Sequence, residues 1–211
     1  MRPLALLALF AALSQAGVTH AQGGRSGMST GAPLTNVDAY RDLSAFGHCY
    51  ARTNRSGALA FIATAPGSRD EARAFDRLIG GERFTCMAGG TETSASLVYY
   101  RGVVAEGLLG AGQGVPSNLV LAIPTVAEVS DLGGVARCYA AGHSAEIQAL
   151  LETNVGSGEE TAAVAALWDD FRACMPANFR VRLNAPWIRF LLAEAALRLS
   201  RTTSASTEAA Q

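Results

Sequence analysis

The sequence contains two copies of one pattern, over residues 36–110 and 125–199. The offset between matched positions is constant through the first part of each copy and changes by one residue later, so a single deletion explains the difference. The identities include Asp42/Asp131, Cys49/Cys138, Ser68/Ser157, Glu71/Glu160, Cys86/Cys174, Arg101/Arg189 and Glu106/Glu194. Such a duplication predicts two tandem repeats of similar structure, packed as one compact domain about a pseudo-two-fold axis.

Apolar residues in each copy recur at helical spacing, which predicts four helices per repeat and an all-α fold. The first helix shows this spacing in the series Val37, Tyr40, Leu43, Phe46 and Tyr50. Residues 96–104 alternate in the manner of a strand, but the matching segment 187–199 favours a helix. The pair Gly80-Gly81 predicts an interruption of the third helix in the first copy only.

The third helix of each copy carries a start signal. In a capping box, a serine hydroxyl accepts an N–H of the first turn, and a glutamate three residues later accepts the N–H of that serine. Ser68 and Glu71 have this spacing in the first copy, and Ser157 and Glu160 have it in the second. We therefore expect both third helices to begin at these serines.

The N-terminal residues 1–21 resemble a secretory signal peptide, because Arg2 precedes an apolar stretch that is too short to span a bilayer. We expect cleavage after Ala21 and an exported protein. The basic residues are all Arg and never Lys, which together with much Ala and Gly favours a bacterial source and hence the periplasm or the cell exterior. The remaining segments are a flexible lead-in, a linker and a disordered tail, over residues 22–34, 111–124 and 200–211.

Four cysteines in an exported protein predict two disulfides. Three pairings are possible, and the duplication favours Cys49–Cys86 and Cys138–Cys174, one bridge within each copy. Bridges between the copies are also compatible with two-fold symmetry. The sequence holds no Cys-x-x-Cys, so we interpret the cysteines as structural staples rather than redox groups.

Composition and motifs argue against several classes of function. The net charge is −1 and the basic residues are scattered, which disfavours nucleic-acid binding, and no later segment resembles a membrane span. The sequence shows no nucleophile–base set, metal-ligand spacing or cofactor fingerprint, so we expect no catalytic residue, metal or cofactor. His48 and His143 do not match between the copies, and we interpret them as surface or partly buried histidines.

The fourth helix of each copy is apolar at almost every position, yet it carries one arginine and one glutamate. Such a helix is expected to be buried, and a buried charge costs several kcal/mol unless it is paired. Arg101 and Glu106 are five residues apart and therefore point about 140° from one another. Each of them consequently needs a partner elsewhere in the fold.

Two arrangements satisfy these charges. The acids present in both copies are Asp42/Asp131, Glu71/Glu160 and Glu106/Glu194. Either Arg101 binds Asp42 on the first helix of its own copy, or Arg101 crosses the pseudo-two-fold axis to Glu194 while Arg189 meets Glu106. The groups then form a structural clamp, or the polar floor of a ligand pocket in which a planar guanidinium binds a carboxylate or phosphate.

These observations favour a non-catalytic binding or interaction module whose partner is a protein or a small molecule. Stacked helical repeats support this hypothesis because they leave grooves at their junction. Two alternatives remain open: an enzyme that uses Arg, Glu and Asp between the repeats, and a structural or stress-related protein of the cell envelope.

Overall fold

The computed structural model describes residues 36–86, 96–111 and 121–200, and every regular element within these ranges is helical. The eight α-helices among them are α1 Val37–Thr53, α2 Arg55–Ala63, α3 Arg69–Cys86, α4 Leu97–Gly110, α5 Leu132–Ala140, α6 Ser144–Glu152, α7 Gly158–Ala173 and α8 Ala185–Leu199. The all-α prediction is confirmed, and the strand-like segment 96–104 lies in α4. The predicted signal peptide, lead-in and tail, and most of the linker, lie outside the described residues.

Side-chain caps fix where several helices begin. The Asp131 carboxylate accepts the backbone N–H of Gly134 at 2.7 Å and starts α5. The Asn184 side chain accepts the backbone N–H of Trp187 at 3.1 Å and starts α8, whose first turn contains Pro186. Asp and Asn are favoured at such positions because their oxygens satisfy N–H groups that the first turn leaves unpaired.

The serine caps of α3 and α7 differ in one contact from the predicted capping box. Ser68 Oγ accepts the Glu71 N–H at 3.0 Å as expected, but the Glu71 carboxylate accepts the N–H of Gly67 at 2.6 Å rather than that of Ser68. The serine N–H is already bonded to the Ala65 carbonyl at 3.1 Å. Gly67 has φ of 74°, a left-handed conformation that suits glycine.

The start of α7 has the same arrangement of hydrogen bonds. The Glu160 carboxylate accepts the N–H of Gly156 at 2.7 Å, while Ser157 Oγ accepts the Glu160 N–H at 3.1 Å. Gly156 has φ of 71°, and the Ser157 N–H donates to the Asn154 carbonyl at 3.1 Å. Both glutamates are therefore held by a glycine N–H, and both are almost fully buried.

Helix α3 runs without interruption past Gly80, so the predicted break at Gly80-Gly81 is wrong. Gly80 is exposed, and a Cβ atom there would meet nothing within 4 Å, so no neighbour demands an unusual backbone conformation. A glycine in a helix interior costs only about 0.5–1 kcal/mol relative to alanine. The Cys49–Cys86 disulfide ties the far end of α3 to α1 and offsets this cost.

Helices α4 and α8 pack against each other at the centre, with α1 against α4 and α5 against α8. The α4–α8 contact is close at Gly102, where a Cβ atom would lie 2.0 Å from the Phe190 Cβ. The α1–α4 contact is close at Gly107, where a Cβ atom would lie 2.4 Å from the Gly47 carbonyl oxygen. These contacts bury nearly every side chain of α4 and α8, including their charged residues.

Two disulfides hold the outer helices. Cys49–Cys86 joins α1 to α3, and Cys138–Cys174 joins α5 to the end of α7, so the predicted pairing is confirmed. The described residues include no free cysteine. Within the described part of the chain, no helix has the length and apolar character needed to cross a membrane.

Candidate functional site

Arg101 of α4 lies at the centre of a buried group of charges, the Arg101 cluster, which also contains Glu71, Glu194 and Arg198. Arg101 Nε donates to both Glu194 oxygens at 3.2 and 3.1 Å, and its Nη2 donates to Glu194 Oε1 at 2.7 Å. Its Nη1 donates to Glu71 Oε1 at 3.1 Å. Arg198 donates to Glu194 Oε1 through Nε at 3.0 Å and Nη2 at 2.8 Å. Both glutamates are thus paired.

Arg101 also closes the C-terminal end of α2. Its Nη2 donates to the Ile62 carbonyl at 3.0 Å, and its Nη1 donates to Thr64 Oγ1 at 3.1 Å. The last carbonyls of a helix have no partner within the helix and attract a positive charge. The Arg101 side chain is 1% exposed, so it joins α2, α3, α4 and α8 in an environment without water.

Arg189 of α8 organises a second group, the Arg189 cluster, with Glu106, Glu160 and His48. Arg189 Nε donates to both Glu106 oxygens at 3.2 Å, and its Nη2 donates to Glu106 Oε1 at 2.7 Å. Its Nη1 donates to Glu160 Oε1 at 3.4 Å. Arg189 also closes the end of α6, because Nη2 donates to the Leu151 carbonyl at 2.8 Å.

The two clusters differ in the second partner of the central glutamate. Glu194 has Arg198 four residues further along α8, whereas Glu106 has Gly110 four residues further along α4. His48 of α1 takes the place beside Glu106, with its Nε2 3.7 Å from Glu106 Oε1, which is longer than a hydrogen bond. The Tyr40 hydroxyl of α1 donates to Glu160 Oε1.

These differences leave the clusters with different formal charges. The Arg101 cluster contains two arginines and two glutamates and is neutral. The Arg189 cluster contains one arginine and two glutamates, so it carries −1 unless His48 is protonated. A buried excess charge costs free energy, so the Arg189 cluster is the place in the core where an added cation is most stabilised.

The pKa values show how strongly these groups are coupled. Burial alone would raise the pKa of Glu194, but Arg101 and Arg198 lower it to about 2. Burial likewise opposes ionisation of Glu106, but His48 and Arg189 hold its pKa below the usual range. Burial and the bond to Glu160 raise the pKa of Tyr40, so at neutral pH its hydroxyl keeps the proton that it donates.

A cavity of about 870 Å³ lies against the Arg189 cluster, between the ends of α4 and α8 and the helices α5 and α6. His48, Glu106 and Arg189 of the cluster line it, and so do six further polar residues: Ser144, Gln148, Glu152, Thr153, Asn154 and Ser200. The apolar part of its wall includes Leu109, Ile123, Ile147, Leu151, Val155 and Leu199. This volume lies within the range of small-molecule sites, which combine an apolar wall with a few convergent polar groups.

The corresponding space beside the Arg101 cluster is much smaller. A cavity of about 210 Å³ lies there, lined by Arg198, Glu194, Asp131 and Arg137 among others. The Arg198 side chain is 5% exposed and lies across Glu194. The two ends of the central helix pair therefore contain similar ion pairs, but the larger space opens only at the end where α4 finishes with glycine.

The structure brings some of the residues predicted from the sequence together and places others apart. Arg101 and Arg189 meet Glu194 and Glu106, which is the crossed arrangement of the two considered. The alternative pairing of Arg101 with Asp42 is wrong, because Asp42 is exposed on the outer face of α1. Asp131, the matching residue, caps α5 and borders the smaller cavity.

The remaining candidate residues make contacts that stabilise the fold. The four cysteines form the two bridges. The glutamates expected only as caps, Glu71 and Glu160, also bind Arg101 and Arg189. His143 stacks on Tyr139 with ring centroids 4.1 Å apart, away from both arginines. Among the described residues, no group of three or more His, Cys, Asp or Glu is placed to hold a metal ion.

Sequence reasoning missed His48 and Gly110, the two residues that distinguish the Arg189 cluster. His48 does not recur in the other copy, where Arg137 occupies the matching position, and Gly110, at the end of the first copy, matches Arg198. That mismatch was itself the signal. An arginine four residues after a buried glutamate in one copy, and a glycine at that place in the other, predicts an unfilled space next to the second glutamate.

No family model, curated protein or solved structure matches the chain. Its function is therefore argued from the chemistry of the site alone.

Proposed function

We propose that this protein is an exported, non-catalytic binding module that holds a small molecule in the cavity beside Glu106. The observation that carries this proposal is the cavity itself: about 870 Å³ of space in which apolar side chains lie beside His48, Glu106 and Arg189. A molecule that binds this cavity in the folded protein, and not the unfolded chain, would stabilise the fold by mass action.

The architecture that we propose with it is two tandem four-helix repeats related by a pseudo-two-fold axis. Its support is the reciprocity of the contacts. Arg101 binds Glu194 while Arg189 binds Glu106, and each arginine also closes the end of the short helix in its own half. Each half holds one disulfide and one buried cap glutamate.

Binding is favoured over the two alternatives by how the polar groups are used. The donors of Arg189 are engaged by Glu106, Glu160 and backbone carbonyls, which suits a fixed pocket floor better than a reacting group. The Arg101 cluster is neutral and adjoins only the small cavity, so it fits the clamp interpretation. Export is supported by two disulfides, which persist in oxidising compartments.

The proposal is tested by native mass spectrometry of the protein purified from its own cell envelope. We expect the wild-type protein to carry a small molecule that is released on denaturation. In an Ala196→Phe variant the added ring would fill the cavity, which Ala196 lines, and we expect the molecule to be absent. Ala72→Phe is the matched control, because Ala72 is exposed on α3 and is not part of the cavity wall.

Recovery of an empty wild-type protein would count against the proposal. Equal occupancy in wild type and a folded Ala196→Phe variant would place the binding elsewhere.

A further inference from the structure

We infer that the cavity selects a cationic amphiphile, a small molecule with a guanidinium or ammonium group on an apolar body, and that Glu106 binds the cation. This inference rests on the proposed function, because it assigns a ligand class to the same cavity. Its basis is a comparison of two glutamates in the same molecule. Arg101 binds Glu194 in the way that Arg189 binds Glu106, and Glu194 also binds a second guanidinium, that of Arg198.

The contacts of the two glutamates show what Glu106 lacks. Glu194 accepts three hydrogen bonds from Arg101 and two from Arg198. In the described part of the chain, the hydrogen bonds that Glu106 accepts come from Arg189. Carboxylates offer about four lone-pair sites and readily accept a second fork of N–H donors. Arg198 contacts Glu194 Oε1, and at the matching Oε1 of Glu106 the nearest second cationic group that the structure describes is His48 at 3.7 Å.

Charge favours a cation over a neutral or anionic group. The cation that Arg198 supplies to the Arg101 cluster has no arginine counterpart in the Arg189 cluster, which therefore carries a formal −1. His48 balances this charge only when it is protonated, and its side chain is 40% exposed and 3.7 Å from Glu106. A ligand cation that approaches as closely as Arg198 would replace this loose contact with a charge-assisted hydrogen bond.

The space around Gly110 is large enough for a side chain. A Cβ atom at Gly110 would lie 3.7 Å from His48 Cε1, which is ordinary van der Waals contact, so the end of α4 accepts a side chain. Residue 110 stands four positions after Glu106, as Arg198 stands four positions after Glu194. An arginine at position 110 would therefore lie across Glu106 and occupy the place that we assign to the ligand cation.

The apolar wall defines the rest of the ligand. Leu109, Ile147, Leu151 and Leu199 line the same cavity as Glu106 and offer an apolar surface, and Glu152 adds a second carboxylate to the lining. An alkyl or aromatic body of moderate size would be removed from water there, with a gain of about 25 cal/mol per Å² of apolar surface. A cation at Glu106 and an apolar body against these side chains together describe a cationic amphiphile.

The test uses calorimetry with three probes built on an eight-carbon chain: octylguanidinium, octylurea and octanoate. We expect octylguanidinium to bind the full chain at least about tenfold more tightly than octylurea, which has the same shape without the charge, and octanoate not to bind. Gly110→Arg should weaken octylguanidinium binding by at least about tenfold. Gly80→Arg is the matched control, since it adds the same side chain at an exposed helix position and should change nothing.

The outcomes separate this inference from the proposed function. Equal binding of octylguanidinium and octylurea would overturn the cation preference while leaving a binding cavity in place. Unchanged octylguanidinium binding by a folded Gly110→Arg variant would overturn the assignment to Glu106. Failure of all three probes would overturn the inference, whereas the proposed function fails only if native mass spectrometry recovers an empty wild-type protein.

Discussion

Arg101 joins α2, α3, α4 and α8, and its loss should be correspondingly costly. Arg101→Met would leave Glu71 and one face of Glu194 buried without their main cation, and would remove one of the donors to the Phe61 and Ile62 carbonyls. Breaking a buried pair from one side costs about 3–5 kcal/mol. We expect a loss of that size in the free energy of unfolding, measured with urea. The control is Arg73→Met, which removes an exposed arginine of α3 and should cost less than about 1 kcal/mol.

A loss below about 1 kcal/mol for Arg101→Met would contradict the clamp, because it would mean that the buried glutamates find other partners or protonate without cost.

Acid should weaken the fold through the same residues. Burial opposes ionisation of Glu194, yet Arg101 and Arg198 lower its pKa from the ordinary 4.5 to about 2. A carboxyl whose pKa is lower in the folded state contributes stability above its unfolded pKa and loses it as the pH falls through the folded pKa. We expect a decrease between about pH 5 and pH 2 of roughly 3 kcal/mol from Glu194, with a further decrease from Glu106.

This pH dependence is measured by urea unfolding at a series of pH values, with the Glu194 carboxyl followed by NMR. A Glu194 resonance that titrates near pH 4.5, or stability that is flat between pH 5 and pH 3, would be the contrary result.

At the scale of elements, the ends of α4 and α8 decide which half of the molecule has the large cavity. Helix α8 continues through Arg198, whose guanidinium lies across Glu194, whereas α4 ends at Gly110. Arg198→Gly should therefore enlarge the 210 Å³ cavity and create a second cation site at Glu194. We expect the stoichiometry of octylguanidinium to rise from one to two per chain, as counted by calorimetry.

Arg172→Gly is the control for this prediction. Arg172 is exposed in the last turn of α7, so its replacement carries the same helix penalty of about 1 kcal/mol without opening a site. A stoichiometry that stays at one in a folded Arg198→Gly variant would contradict the equivalence of the two glutamates.

The sequence was most informative about the individual helices and the disulfides that join them. Helical spacing predicted the all-α fold, and the duplication predicted the disulfide pairing. The crossed partners of Arg101 and Arg189 were one of two alternatives, because the burial of Asp42 depends on how α1 rotates against α4. The helix break at Gly80-Gly81 failed because local propensity is weaker than a bridge that fixes the helix end. The cavity was missed because it arises where the two copies differ.

For the whole molecule, the shared α4–α8 centre predicts a single cooperative unfolding transition. Replacing Cys138 and Cys174 with alanine should lower the stability of the entire chain, not of one half. The bridge closes a loop with a sequence separation of 36, which corresponds to about 4 kcal/mol on loop-entropy grounds. We expect one transition at a lower urea midpoint, seen alike by circular dichroism and by tryptophan fluorescence.

The Cys49–Cys86 pair provides the matched comparison, since its sequence separation of 37 predicts a loss of the same size. Two separated transitions in either variant would show that the halves unfold independently and that the centre is not shared.

The exchange of glutamates between α4 and α8 also sets the order in which the chain acquires its structure. A growing chain that ends before α8 contains Arg101 and Glu71 but not Glu194, and it contains Glu106 and Glu160 but not Arg189. Arg101 and Glu71 can already pair, but Glu106 and Glu160 have no arginine until the last helix supplies Arg189. A chain delivered N-terminus first would therefore complete the core around Glu106 and Glu160 only when α8 emerges.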